Sequence, residues 1–126
     1  GTHDNETITG WAKGLKEEDL QLVRDYLCDY TTPVEKLYMP MAAMALRTCA
    51  DTCIIPLQDY IGLDNSARVN VPGTAQGNWG WRLLEGQIPK DLAKQVYAMT
   101  KAFKRLSESA FAKELKAQEE SRKEAK

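Results

Sequence analysis

The chain has 126 residues, and its 43% hydrophobic and 28% charged residues predict a folded, soluble domain rather than a disordered segment. Its net charge is −1, so it lacks the basic field that nucleic-acid-binding proteins use. Since it also has no apolar run long enough to cross a bilayer, we expect neither a nucleic acid nor a membrane as its partner.

The three cysteines do not form a metal-binding pattern. Cys49 and Cys53 are separated by three residues, Cys28 lies well upstream, and His3 is the single histidine. A zinc site needs several such ligands at closer spacing. We therefore expect no metal ion, and we interpret the cysteines as free thiols of a cytoplasmic protein.

Two helical patterns follow one another in the first half of the chain. Over residues 16–30, apolar side chains recur at helical spacing and acidic residues occupy the first turn. A second helix is predicted over residues 33–48, with Pro33 at its first position. Pro40 lies inside that segment, so we expect it to kink the helix or to divide it.

Strand candidates are few and lack partners within the chain. Residues 52–57, TCIIPL, are apolar on both faces like a buried parallel strand, and the very start of the chain is a second candidate. This order of elements indicates part of an α/β sheet whose other strands lie elsewhere. A long Gly-rich, aromatic loop is predicted over residues 58–82. An amphipathic helix then leads to a charged helical tail at 108–126.

Two stretches, GTHDNET at the start and PLQDYIGLDNSARVNVPGTAQGNWGWRL from Pro56, resemble the 4-alpha-glucanotransferases (amylomaltases, glycoside hydrolase family 77) of the alpha-amylase clan. The resemblance covers residues 1–107 and implies the C-terminal part of a (β/α)8 TIM barrel. We therefore expect the rest of the barrel to precede Gly1 as a partner of this chain. The implied elements are the end of the seventh strand at 1–4, the seventh helix within 16–48, the eighth strand at 52–57 and the closing helix at 89–107.

The resemblance also implies a reaction. Members of this family transfer a segment of a 1,4-alpha-glucan to glucose or to another glucan by a retaining double displacement. The substrates are maltooligosaccharides and longer alpha-1,4-glucans, and no cofactor is needed because side chains supply acid, base and nucleophile. The nucleophile and the acid/base of the family would lie upstream of Gly1, so we expect the chain alone to be inactive.

By the same resemblance, Asp4 is the third catalytic carboxylate, which stabilises the oxocarbenium-like transition state. Its neighbours His3 and Asn5 are expected to bind the same sugar. Further candidates follow the predicted eighth strand. The expected substrate-binding residues there are Asn70, Pro72 and Gly73, and the expected loop-positioning residues are Gln58, Asp59 and Arg68, with Arg68 paired to Asp59 or to another buried carboxylate. Trp79 and Trp81 either stack on sugar or pack the loop onto the barrel.

Two readings of another class stay open from the sequence. The amphipathic faces over 20–30 and 92–103 would suit a helical module that binds a protein. The tryptophans would also suit a carbohydrate-binding remnant without catalysis. The first reading has no use for residues 68–82, and the second would have only half of its groove.

Overall fold

The computed structural model describes residues 2–109, 112–113, 116–117 and 120, so Gly1 and most of the expected tail at 108–126 lie outside the described residues. The part of the chain that is described is mainly helical. None of its helices is long and apolar enough to cross a membrane. The elements are α1 (Ile8–Gly14), α2 (Glu17–Leu27), a 3₁₀ turn (Val34–Lys36), α3 (Tyr38–Leu46), α4 (Leu57–Tyr60), a second 3₁₀ turn (Asn65–Ala67) and α5 (Leu92–Ala102).

Helix α2 confirms the first helical prediction, with its acidic residues in the first turn. It ends at Cys28, which takes a left-handed conformation with φ 53°. Helix α1 was missed because two glycines weaken its pattern. Its signal was Thr7, an N-cap whose Oγ1 accepts a hydrogen bond from the Gly10 N–H at 3.1 Å.

The segment predicted as one helix over 33–48 is divided into the first 3₁₀ turn and α3, but not at Pro40, where the division was expected. The division falls at Leu37, and Pro40 is the third residue of α3. A proline in the first turn of a helix removes an N–H that has no intrahelical partner there. Pro40 therefore fits into the first turn of α3 and does not interrupt the helix.

The expected strands at 1–4 and 52–57 are not present, since no strand is assigned within residues 2–109. Residues 52–56 run outside any helix, and Leu57 already begins α4. The physical reason is that a strand exists only through hydrogen bonds to a neighbouring strand. The two strands that the sequence predicts are therefore absent from the described residues, which contain no partner strand for either of them.

The hydrophobic core is small and lies around α3. This helix packs against α1, α2, α4 and α5, and α1 also contacts both 3₁₀ turns. Leu37 is the largest fully buried side chain, between the first 3₁₀ turn and α3. Within the described ranges, the buried hydrophobic residues are Ala12, Leu37, Ala42, Leu46, Ala67 and Leu92. This packing brings the loop before α1 against the loop that follows α4, which is where the sequence placed its candidate residues.

Candidate functional site

The loop before α1 presents His3 and Asp4. A tight turn holds this loop, because the Asn5 N–H donates to the Thr2 carbonyl at 3.2 Å and the Asn5 Oδ1 accepts from the Thr2 N–H at 3.0 Å. His3 Nε2 lies 3.2 Å from Asp4 Oδ1, and about half of each side chain is exposed. Asn5 therefore shapes the turn, while His3 and Asp4 face outward together.

The loop after α4 supplies a second partner for Asp4. The Asn70 side-chain amide donates to Asp4 Oδ1 at 2.6 Å, across 66 positions of sequence. The Trp79 ring lies against the His3 imidazole, with centroids 5.0 Å apart and planes inclined at 45°. The structure thus joins His3, Asp4, Asn70 and Trp79 in one cluster on the surface.

Arg68 connects the backbones of the two loops. Its Nη2 donates to the Asp4 carbonyl at 2.7 Å, and its Nε donates to the Asn70 carbonyl at 2.9 Å. Its Nη1 lies 4.0 Å from a carboxylate oxygen of Glu6. The expected pairing of Arg68 with Asp59 is therefore wrong; the carboxylate beside Arg68 belongs to Glu6, which is partly exposed.

Asp59 and Gln58 lie beneath this cluster, and both are buried. The Asp59 carboxylate accepts from the Ile8 N–H at 2.7 Å and so holds the start of α1. Burial raises the pKa of Asp59, and the Ile8 hydrogen bond opposes that rise. Gln58 donates from its amide to the Ala67 carbonyl at 3.3 Å, which fixes the start of the loop that carries Arg68 and Asn70.

Pro72 and Gly73 form the exposed bend of the loop. The Thr74 N–H donates to the Val71 carbonyl at 3.2 Å around them, and Gly73 has φ 80°. A positive φ at that position is the geometry of a type II turn, which favours Pro followed by Gly. Both residues are exposed and follow Asn70 on the same loop.

Two residues that the sequence analysis did not single out hold these loops. Asn65 accepts from the Thr7 N–H at 3.2 Å and donates to Glu6 Oε2 at 2.6 Å. Asn78 accepts from the Val71 N–H at 2.9 Å and donates to the Thr74 carbonyl at 3.0 Å. The asparagines in LDNSAR and QGNW were a signal, since Asn is favoured where a side chain must replace a backbone hydrogen bond.

Trp79 and Trp81 do not form the shared flat face that an extended strand would give. Trp79 takes a left-handed conformation with φ 63°, and its N–H donates to the Val69 carbonyl at 2.7 Å. Trp79 is exposed, whereas Trp81 is half-buried. Only Trp79 therefore contributes an aromatic surface to the cluster.

A cavity of about 190 Å³ opens beside the cluster, and His3, Glu6, Gln58, Asp59 and Arg68 are among its lining residues. Among the residues that the structure describes, no three His, Cys, Asp or Glu side chains are placed to hold a metal ion. A carboxylate, an imidazole and an amide on an open rim can exchange hydrogen bonds with neighbouring hydroxyl groups of a neutral ligand. The aromatic face of Trp79 adds an apolar contact at the same rim.

Comparisons with known proteins agree on one family. The family model described as 4-alpha-glucanotransferase matches residues 1–87. A 4-alpha-glucanotransferase from Synechocystis sp. is 38% identical over 108 residues, which are 83% of this chain and 20% of that protein. One from Thermus thermophilus is 37% identical over 109 residues, which are 84% of this chain and 22% of that protein. The chain therefore spans about a fifth of the length of these curated relatives.

A solved structure gives the same result for the fold. The amylomaltase from Streptococcus agalactiae in complex with acarbose superposes with a TM-score of 0.75 and 27% sequence identity. The match covers 85% of this chain and 21% of that one. The helices and loops described above therefore correspond to one section of a larger enzyme structure.

Proposed function

Because the chain belongs to the 4-alpha-glucanotransferase family, we propose that it forms part of an enzyme that transfers segments of 1,4-alpha-glucans to glucose or to other glucan ends. Within that enzyme, this chain forms one rim of the sugar-binding cleft. The chain alone carries neither the nucleophile nor the acid/base of the family, so it is inactive by itself. The proposed location is the cytoplasm, although one relative, from Oryza sativa subsp. japonica and 42% identical over 83 residues, is named as chloroplastic/amyloplastic.

The arrangement of Asp4 carries this proposal. The His3 and Asn70 side chains both contact Oδ1 of Asp4, so that among the described residues Oδ2 is left for a ligand. A carboxylate held in one orientation accepts hydrogen bonds from two neighbouring sugar hydroxyls. Its negative charge also favours the positive charge that develops on the ring in the transition state. Interactions that strengthen in the transition state raise kcat.

His3 and Asn70 share the substrate-binding role on this proposal. The His3 imidazole and the Asn70 amide flank Asp4, and each has a further donor or acceptor for a hydroxyl group. The Pro72–Gly73 bend lies farther out on the loop and borders the cleft, where a longer glucan would pass. Asn5 sets the turn that presents His3 and Asp4, which places it behind the sugar-facing side chains.

We further propose that the chain completes a TIM barrel when the rest of the enzyme is present. Residues 52–56 leave α3 without forming a helix and lead directly into α4. In that enzyme a neighbouring strand would pair with them, and they would become the eighth strand. The proposed site then lies beyond the carboxyl ends of the seventh and eighth strands, where TIM-barrel enzymes place their catalytic groups. The structural likeness to an amylomaltase supports this arrangement.

A hybrid enzyme tests the proposal. In it, this chain replaces the matching 108 residues of the Synechocystis relative. Incubated with maltotriose, the hybrid should form glucose and longer maltooligosaccharides with little gain in reducing ends, because transfer conserves the number of glycosidic bonds. The substitution Asp4→Asn should lower kcat by at least about 100-fold, since removing one preorganised transition-state group has effects of that size.

The conservative control is Asp51→Asn, which removes an exposed carboxylate from the segment that follows α3. It should leave kcat unchanged. A folded hybrid without transfer activity, or an Asp4→Asn variant as active as the control, would contradict the proposed function.

A further inference from the structure

Arg68 makes an unusual set of contacts for an arginine at a rim. Its guanidinium donates to the backbone carbonyls of Asp4 and Asn70 through two different nitrogens, at 2.7 and 2.9 Å. The side chains of those same two residues hydrogen-bond each other at 2.6 Å. The three residues therefore close a ring, with Arg68 fixing the backbones and Asn70 fixing the carboxylate.

The chemistry of this ring requires an arginine. A guanidinium is planar and presents its N–H groups in a fixed fork, so that one side chain holds two acceptors at a set separation. An ammonium on a flexible stem is a point charge without that geometry. The Arg68 side chain is only 19% exposed, so its position is restricted by its surroundings as well as by its hydrogen bonds.

Arg68 contacts the backbone of Asp4 rather than its carboxylate, so it leaves the ligand-facing atoms free. We propose that Arg68 is a positioning residue, which fixes the distance and angle between Asp4 and Asn70 without touching the sugar. This inference rests on the proposed function, and it assigns to Arg68 a role in kcat rather than in substrate binding. A misplacement of a catalytic group by about 1 Å can lower a rate about 100-fold.

A matched control distinguishes positioning from ordinary stabilisation. Arg105 uses the same kind of contact elsewhere in the fold. Its Nε donates to the Leu46 carbonyl at 2.7 Å, and its Nη2 donates to the carbonyls of Thr48 and Ala50 at 2.9 and 2.6 Å. It ties the end of α3 to the segment after α5, away from Asp4. Arg68 and Arg105 thus make the same kind of hydrogen bond to backbone carbonyls, but Arg68 binds the loops around Asp4 and Arg105 binds the end of α3.

The experiment compares R68K and R105K in the hybrid enzyme with maltotriose as substrate. For each variant, kcat, KM and the urea midpoint of unfolding are measured. R68K should lower kcat about 10- to 100-fold and change KM by less than about 3-fold, because the lost interaction acts on the transition state. R105K should leave kcat and KM unchanged. Both substitutions should lower the urea midpoint, since each removes a fork of backbone hydrogen bonds.

A double variant adds a measurement, the combined effect of two substitutions on kcat, that a change in stability alone would not affect. If Arg68 acts through the Asp4–Asn70 pair, the effects of R68K and N70A on kcat are not multiplicative, because each already releases the same carboxylate. R105K combined with N70A should be multiplicative. If R68K does not fold in the hybrid, R68Q takes its place, since it keeps a planar amide with two N–H groups.

Three results would overturn the inference: an R68K variant with the kcat of the unsubstituted hybrid, fully multiplicative effects of R68K and N70A, or unfolding of both Arg68 variants where R105K folds. Each of these can occur while the unsubstituted hybrid is active and Asp4→Asn is not, so the proposed function would survive. Inactivity of the folded, unsubstituted hybrid would instead contradict the proposed function itself.

Discussion

Gly10 offers a quantitative test of the contacts between the two loops. It lies in α1 directly beneath Asn65, and a Cβ added at this position would overlap the carboxamide of Asn65. That carboxamide binds the Thr7 N–H and the Glu6 carboxylate. The substitution Gly10→Ala should therefore displace Asn65 and release the beginning of α1.

The magnitude follows from four contributions: two lost hydrogen bonds, the higher helix propensity of alanine and the steric overlap. The bond from Asn65 to Thr7 contributes about 1 kcal/mol. The bond to Glu6 has a charged acceptor, but that carboxylate is partly exposed, so we count it as about 1 kcal/mol as well. Alanine in place of glycine in a helix returns at most about 1 kcal/mol. With the steric overlap added, the local stability of α1 should fall by about 1–2 kcal/mol.

Hydrogen exchange in the hybrid enzyme measures this change directly, because it reports local opening. Amides at the start of α1 should exchange about 5- to 30-fold faster in Gly10→Ala, as a loss of about 1–2 kcal/mol requires. Gly14 ends the same helix with nothing within 4 Å of its added Cβ, so Gly14→Ala should leave exchange unchanged or slow it. Slower exchange in both variants would show that Asn65 does not occupy the space above Gly10.

Three further predictions concern Trp79, Asp59 and Asp64. Trp79→Ala removes the ring beside His3 and should lower the kcat of the hybrid about 2- to 12-fold. Trp79→Phe keeps an aromatic ring and should retain most of the kcat. Equal losses in both variants would contradict a role for the contact. Burial raises the pKa of Asp59 in the folded protein above its value in the unfolded chain. As the pH rises from the unfolded pKa through the folded pKa, ionisation of Asp59 therefore lowers the stability of the folded state. In urea unfolding, Asp59→Asn should therefore gain stability relative to the parent as the pH rises from 4 to 7. Its urea midpoint should rise relative to that of the parent by on the order of tenths of a molar. A hydrogen bond from Ser66 lowers the pKa of Asp64 below its usual value of 3.8. Asp64→Asn should therefore lose stability relative to the parent as the pH rises from about 2 to about 4, where the parent gains this contribution. The same sign in both variants would refute this interpretation.

The parts of the fold that local pattern determines could be predicted from the sequence. Helix α2 has periodic apolar residues and an acidic first turn, and both are visible without a structure. The strands at 1–4 and 52–57 could not be assigned correctly, because a strand depends on a partner that periodicity does not report. Helix α1 was missed for the opposite reason: its N-cap at Thr7 was present, but its glycines obscured the pattern.

In the candidate site, too, some features could be predicted from the sequence and others could not. The motif around His3 and Asp4 and the stretch around Asn70 were identified by resemblance, and the structure brings their side chains together. The bonds between the loops were not predictable, because they join residues about 60 positions apart through backbone atoms. Arg68 illustrates the difference: its charge indicated a carboxylate partner, whereas its geometry serves two carbonyls.

The rim around Asp4 and the hydrophobic core are separate structures within this chain. The rim is held by polar contacts of Asn65, Arg68 and Asn70, which connect two loops directly. The core around Leu37 is small, and large apolar side chains such as Tyr26 and Ile54 stay exposed at 75% and 67%. A protein usually covers such side chains with further chain. If the rest of a barrel supplies that cover, the hybrid should gain its stability from new apolar contacts while the hydrogen bonds around Asp4 stay as they are here. Protection of the Thr7 and Ile8 amides would then differ little between the isolated chain and the hybrid, whereas protection of α2 and α3 would rise steeply.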